Sequence, residues 1–189
     1  MVKLIICITG MPGAGKSTIA NGLKSKEFDV INMGNVIREA AKKKNLPPTH
    51  SALNTIMKKM RKKYGPEIIA KLIKEKIVSS NHDIVIIDGI RSYAEVNSLK
   101  KLATTKILSI HTSTNKRYEL LLRRGRSDDP NCREYFDERD KQEIDIGVSS
   151  PIALADESIS NNDLTIPQLI NAAYNIIKKW HDKYSKSKM

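Results

Sequence analysis

Cysteine is nearly absent from this sequence of 189 residues, with only Cys7 and Cys132 present. Two distant thiols make neither a disulfide framework nor a four-ligand zinc site, so the chain is expected to live in a reducing cytoplasm. No apolar run approaches the roughly 18 residues that a membrane-crossing helix needs, which excludes such a helix. The N-terminal apolar stretch, Leu4 to Ile8, lacks a signal-peptide cleavage pattern and runs straight into glycines, so it reads as a first strand. Aromatic residues are few, at 5% of the chain. Acid is in short supply too: 33 basic side chains face 21 acidic ones, for a net charge of +12. Between Glu39 and Glu67 there is no acid at all, while Lys42, Lys43, Lys44, Lys58, Lys59, Arg61, Lys62 and Lys63 fall there. Such a cluster suits a solvated helix face or a polyanionic partner. Without interleaved aromatics for base stacking, nucleic acid is the less favoured partner.

What remains is a globular composition, 40% apolar and 29% charged, at a length suited to one domain spanning 1–189. Strand and helix patterns alternate along it. Leu4 to Ile8, Ile84 to Ile87 and Ile107 to His111 are continuous apolar runs, as in strands buried on both faces. Asp29 to Asn32 and Glu157 to Ser160 are shorter, weaker strands. Helices between them carry Ile19 and Leu23, then Val36 and Ile37. Leu53, Ile56, Met57, Met60 and Tyr64 follow, then Ile69, Leu72, Ile73 and Ile77. Ser92 and Glu95 have capping-box spacing, and Thr165 with Gln168 caps a last helix. The pattern predicts an α/β fold: a five-stranded parallel sheet with helices on both faces, in three layers. Residues 33–80 form a helical excursion, 123–147 a charge-dominated one, and 183–189 a frayed tail.

Gly10-Met11-Pro12-Gly13-Ala14-Gly15-Lys16-Ser17 fits the phosphate-binding pattern G-x-x-x-x-G-K-[ST], after a strand and before a helix. Glycines let backbone N–H groups turn inward around an anion, and the helix N-terminus adds its dipole. Lys16 supplies a point charge for β- and γ-phosphates, and the Ser17 hydroxyl can ligate Mg²⁺. Gly10, Pro12, Gly13, Ala14, Gly15, Lys16, Ser17 and Thr18 are therefore the expected ATP cradle. Asp88 ends the third strand, where a carboxylate faces the metal. Arg38 and Arg91 lie at the same edge of the sheet, where α/β proteins bind ligands.

The order of these features resembles the nucleoside monophosphate kinases, most of all the small archaeal adenylate-kinase-related proteins, which also resemble dephospho-CoA kinases. The resemblance runs from Leu4 to about Ile177. It rests on the phosphate loop, on Met33-Gly34-Asn35-Val36-Ile37-Arg38, on Asp88-Gly89-Ile90-Arg91, and on Arg124-Gly125-Arg126-Ser127-Asp128-Asp129. It implies that Gly34, Arg38, Gly89 and Arg91 hold the acceptor and that Asp88 holds the water shell of Mg²⁺. It further implies that Arg123, Arg126 and Arg139, on a short lid, close over the transferring phosphoryl, and that Asn161 lies at the adenine site. Two departures stand out: the Asp-Gly-x-Arg segment lacks the proline of adenylate kinases, and Asn35 replaces an aspartate before Arg38.

Chemistry narrows the acceptor. A hydroxyl acceptor sheds a proton and needs a base, whereas a phosphate monoester is mostly ionised at neutral pH and needs arginines instead. Around the second strand end the chain offers Asn32, Asn35 and Arg38, which favours a nucleoside monophosphate, AMP first, as substrate. A dephospho-CoA kinase-like hydroxyl kinase is one alternative. Another is a nucleotide-binding switch or slow NTPase acting through a partner or nucleic acid.

Overall fold

The computed structural model describes residues 4–26, 28–43, 45–47 and 49–186. Its strands are β1 (Leu4–Thr9), β2 (Asp29–Asn32), β3 (Ile84–Ile90), β4 (Thr104–His111) and β5 (Glu157–Ser160). All pair in parallel, in the order β2-β3-β1-β4-β5. The helices are α1 (Lys16–Lys24), α2 (Met33–Lys43), α3 (His50–Tyr64), α4 (Ile68–Leu72), α5 (Lys74–Val78), α6 (Tyr93–Lys100), α7 (Thr114–Arg124), α8 (Arg133–Ile146), α9 (Ser149–Ala153) and α10 (Ile166–Lys186). The three-layer α/β arrangement is the one the alternating pattern predicts.

The side-chain period of two explains why β1 is apolar throughout. Ile5 and Cys7 face one layer, built on Ile37, Met57, Ile69, Ile73 and Val96. Leu4, Ile6 and Ile8 face the other, against Ile19 and Leu23 of α1 and Leu169, Ala173, Ile177 and Trp180 of α10. Burial in the first layer pushes the Cys7 thiol far above its usual pKa, so it behaves as a small apolar residue.

Several local expectations differ in detail. The segment after Pro66 forms two short helices rather than one, and Leu72 lies exposed on the first of them. Tyr64, in line with the apolar stripe of α3, is also exposed, beneath the ammonium of Lys63. The last helix continues to Lys186, and the rest of the expected frayed tail lies outside the described residues. Phe136, inside the charged 123–147 excursion, is fully buried, edge-on to Tyr118 at 5.4 Å. That excursion is therefore a loop, 125–132, followed by a helix docked on the core.

Candidate functional site

The carboxyl ends of β1, β2 and β3 open into one cleft of about 720 Å³. The phosphate loop lies at its floor. Gly10 has φ 140° and Gly15 φ 104°, a region in which L side chains are strained. A Cβ at Gly10 would also come within 2.3 Å of the Ile110 carbonyl oxygen, and one at Gly15 within 2.7 Å of Asn161 Nδ2. Neither position has room for a side chain. Below the loop, the Ala14 carbonyl accepts hydrogen bonds from Thr112 Oγ1 (3.1 Å) and Asn161 Nδ2 (3.0 Å), fastening it to the ends of β4 and β5.

Lys16 is half-buried and curls back, its Nζ donating to the carbonyls of Gly10 (2.7 Å) and Met11 (2.8 Å). Burial lowers its pKa to about 8, against the opposing charge of Asp88. Asp88, 2% exposed, accepts at Oδ2 from Asn32 Nδ2 (2.6 Å) and Ser17 Oγ (3.4 Å). Burial raises its pKa, while Lys16 and these two donors pull the other way. Lysine, hydroxyl and carboxylate thus share one edge of the cleft.

Across the cleft Arg38, Arg61, Arg91, Arg124 and Arg139 each have an acidic partner, whereas burial and the nearby Arg124 lower the pKa of Arg126. Arg38, on α2, donates to Asn35 Oδ1 (3.1 Å) and lies 3.6 Å from Asp128. Arg91 pairs through Nε with Glu143 (3.1 Å), which is buried on α8. Arg61 leaves the lysine cluster and turns inward to Glu95 (2.5 Å). Glu95 also closes the capping box at Ser92 and accepts from the Arg91 N–H (2.8 Å). Arg139, 6% exposed, donates to the Asp128 carbonyl (2.8 Å) and to Asp129 Oδ1 (3.2 Å), while Arg124 is bonded to Asp129 through two nitrogens.

Of the residues singled out from sequence, Gly10, Pro12, Gly13, Gly15, Lys16, Ser17, Thr18, Gly34, Arg38, Asp88, Gly89, Arg91, Arg123, Arg126, Arg139 and Asn161 all line this cleft. Ala14 lies beneath it and is buried. Arg123 sits at the rim, its side chain 72% exposed and 3.8 Å from Glu119. Asn161 spends its amide on the phosphate loop. Sequence reading missed Arg61, Arg117, Glu95 and Glu143, and it chose Arg123 where Arg124 makes the inward bonds. Arg124 had a signal, since Gly125 in the left-handed conformation ends α7 directly after it. Arg61, Arg117 and Glu143 had none, because their partners are distant in sequence, and Glu95 was legible as the capping partner of Ser92 but not as that of Arg61. Lys42, Lys43, Lys58, Lys59, Lys62 and Lys63 are exposed, and Lys44 lies outside the described residues. Among those residues no helix is long and apolar enough to cross a membrane.

Comparison with known proteins agrees with this architecture. Residues 9–134 match the family model described as AAA domain, which takes in the phosphate loop, Asp88 and the arginines up to Arg133. A UPF0200 protein of Pyrococcus abyssi is 41% identical over 165 residues, covering 85% of this chain and 88% of that relative. One from Staphylothermus marinus is 36% identical over 186 residues, covering 98% and 97%. Among solved structures, TT1252 from Thermus thermophilus superposes with a TM-score of 0.66 at 18% identity, over 93% of this chain and 98% of that one. Shikimate kinase from Acinetobacter baumannii, in complex with shikimate, superposes with a TM-score of 0.61 at 15% identity, over 95% and 94%. At such identities the two structures share the fold alone. By its matches along nearly the whole length, the chain belongs to the UPF0200 family and carries the AAA-type P-loop domain.

Proposed function

We propose that this chain is a phosphotransferase that moves the γ-phosphoryl group of ATP to a nucleoside monophosphate, AMP first among them. One observation carries the reading: a single cleft joins a phosphate cradle with its lysine to a second group of arginines on the far wall. Lys16 would neutralise the β- and γ-phosphates. Ser17 and Asp88 present oxygen donors 3.4 Å apart, the hard ligands that suit Mg²⁺ directly or through water. When bound, that ion offsets the charge developing on the phosphoryl oxygens. Arg38 and Arg91 would clasp the acceptor phosphate, replacing Asp128 and Glu143 as its counter-charges, and Arg124, Arg126 and Arg139 would surround the phosphoryl in transit. Both of those carboxylates are already paired with arginine, which suits an acceptor that arrives ionised.

A hydroxyl acceptor is the second reading, favoured by the raised pKa of Asp88 at the head of the cleft, as in a general base. One experiment separates the two. ATP and GTP are offered as donors with each nucleoside monophosphate and with dephospho-CoA, and the phosphorylated acceptors, nucleoside diphosphate or CoA, are resolved by chromatography. AMP-dependent ADP formation is the expected result. Transfer to dephospho-CoA alone would move the assignment to a hydroxyl kinase, and nucleotide binding with no acceptor-dependent turnover would reject transfer altogether.

A further inference from the structure

Arg117 belongs to α7, yet its side chain works between two other elements. It is 4% exposed. Its Nη1 donates to the Pro12 carbonyl of the phosphate loop (3.0 Å) and to Asp140 Oδ1 (2.9 Å), and its Nη2 donates to Asp140 Oδ2 (2.5 Å). The guanidinium plane lies 4.9 Å from the ring of Phe136. The loop also rests on its backbone: a Cβ at Gly13 would come 2.8 Å from the Arg117 carbonyl oxygen. Asp140 and Phe136 are both on α8, and Asp140 adjoins Arg139, which holds Asp128 and Asp129. A continuous polar path therefore runs from the phosphate loop, through Arg117, to the helix that carries an arginine of the cleft.

Pro12 C=O and Gly13 N–H belong to the same peptide group. An anion drawn to the Gly13 N–H polarises that peptide and makes its carbonyl a better acceptor, because hydrogen bonds in a chain strengthen one another. The carbonyl's donor is Arg117, whose two-pronged bond to Asp140 fixes its plane relative to α8. We propose that Arg117 and Asp140 are positioning residues that couple occupancy of the phosphate loop to the placement of α8, and so of Arg139. The inference rests on nucleotide binding as read above. It implies that α8 responds to the donor as part of the phosphate-loop body, while only the loop 125–132 opens.

The test is hydrogen exchange by mass spectrometry on the full chain with and without ADP and Mg²⁺, alongside calorimetric ADP affinity. In the unaltered protein, ADP should slow exchange across 136–143 by about fivefold or more, the lower end of ordinary inter-site coupling. In Asp140→Asn, ADP affinity should hold within about threefold while that response disappears. Arg117→Lys keeps the charge but lacks the fork, so it should behave the same way and decides the matter if Asp140→Asn does not fold. A response that survives in the folded variant overturns the proposal, because α8 is then sensing ADP by direct contact. So does an unaltered protein that binds ADP with no response in α8. Failure to bind ADP at all would defeat the nucleotide reading itself. Coupling without acceptor-dependent turnover would defeat only the transferase assignment.

Discussion

The Lys16 ammonium is drawn into the phosphate loop, and its pKa of about 8 follows from that burial. With the ammonium needed to meet phosphates, capture of ATP should weaken as pH rises through about 8, where the free protein loses that proton. Bound phosphates favour the charged form, so maximal turnover should persist to higher pH. A pH profile of kcat/KM for ATP against one of kcat checks the separation. Asp88 poses the opposite case, a carboxyl whose ionised form is disfavoured by burial. Asp88→Asn removes a charge that folding must desolvate and keeps the shape, so the melting temperature should rise. The same change should cost phosphoryl transfer about a hundredfold or more, since it removes an oxygen anion at the reacting end. Thermal denaturation and initial rates, taken together, test whether this residue trades stability for function.

Arg38 and Arg91 reach the cleft from different elements, α2 and the end of β3, and their surroundings make different demands. The Arg38 side chain is 37% exposed, whereas Glu143, the partner of Arg91, is 5% exposed. Alanine at either position should weaken AMP binding by roughly one to two orders of magnitude, through loss of charge-assisted bonds, with ATP little affected. Arg91→Ala should also lower the melting temperature, because it strands a buried carboxylate, and Arg38→Ala should not. Separate titrations with AMP and ATP plus a melting curve read all three effects. The loop 125–132 is tied down through Asp128 and Asp129 to Arg38, Arg124 and Arg139, mostly by charge. Helix α8 is anchored by the fully buried Phe136 as well as by the ion pairs of Asp140 and Glu143. Loop amides should therefore exchange faster than those of α8 in the free protein, and added salt should widen the gap. A bisubstrate analogue should slow the loop, as required of a lid. Loop protection unchanged by the analogue would leave it an ordinary surface turn.

At the scale of the molecule, the sheet order β2-β3-β1-β4-β5 puts β1 in the centre, so the loop after it is surrounded by the ends of its neighbours. Ligand bound at that loop touches the most buried part of the fold and should stabilise the whole chain. MgATP at about a hundred times its dissociation constant should add about 2.7 kcal/mol of stability, and Lys16→Ala should abolish the shift while melting normally without nucleotide. Differential scanning fluorimetry of both proteins against MgATP concentration makes the comparison. The net charge of +12 is not spread evenly, since the exposed lysines from Lys42 to Lys63 fall in a stretch without acid between Glu39 and Glu67. Arg61, its one guanidinium between Lys42 and Lys63, is turned inward to Glu95.

The amino-acid sequence alone determined whatever depends on neighbours along the chain. Strands alternating with helices, the phosphate loop between β1 and α1, the box at Ser92 and Glu95, and the strand-end position of Asp88 all follow from local patterning and turn chemistry. Only the tertiary structure decided which charges meet. Arg117 finds Asp140 23 positions away, and Arg61 finds Glu95 34 positions away. Glu143 reaches Arg91 because α8 is seated beside the cleft, with Phe136 against Tyr118 and Asp140 bonded to Arg117 of α7. No local rule distinguishes such residues from the many charged side chains of a solvated helix, since a helix face becomes inward or outward only when another element packs on it. Composition read 123–147 as charge-dominated, yet its second half is docked, through the buried Phe136, the contact of Ile146 with the apolar core and the ion pairs of Asp140 and Glu143.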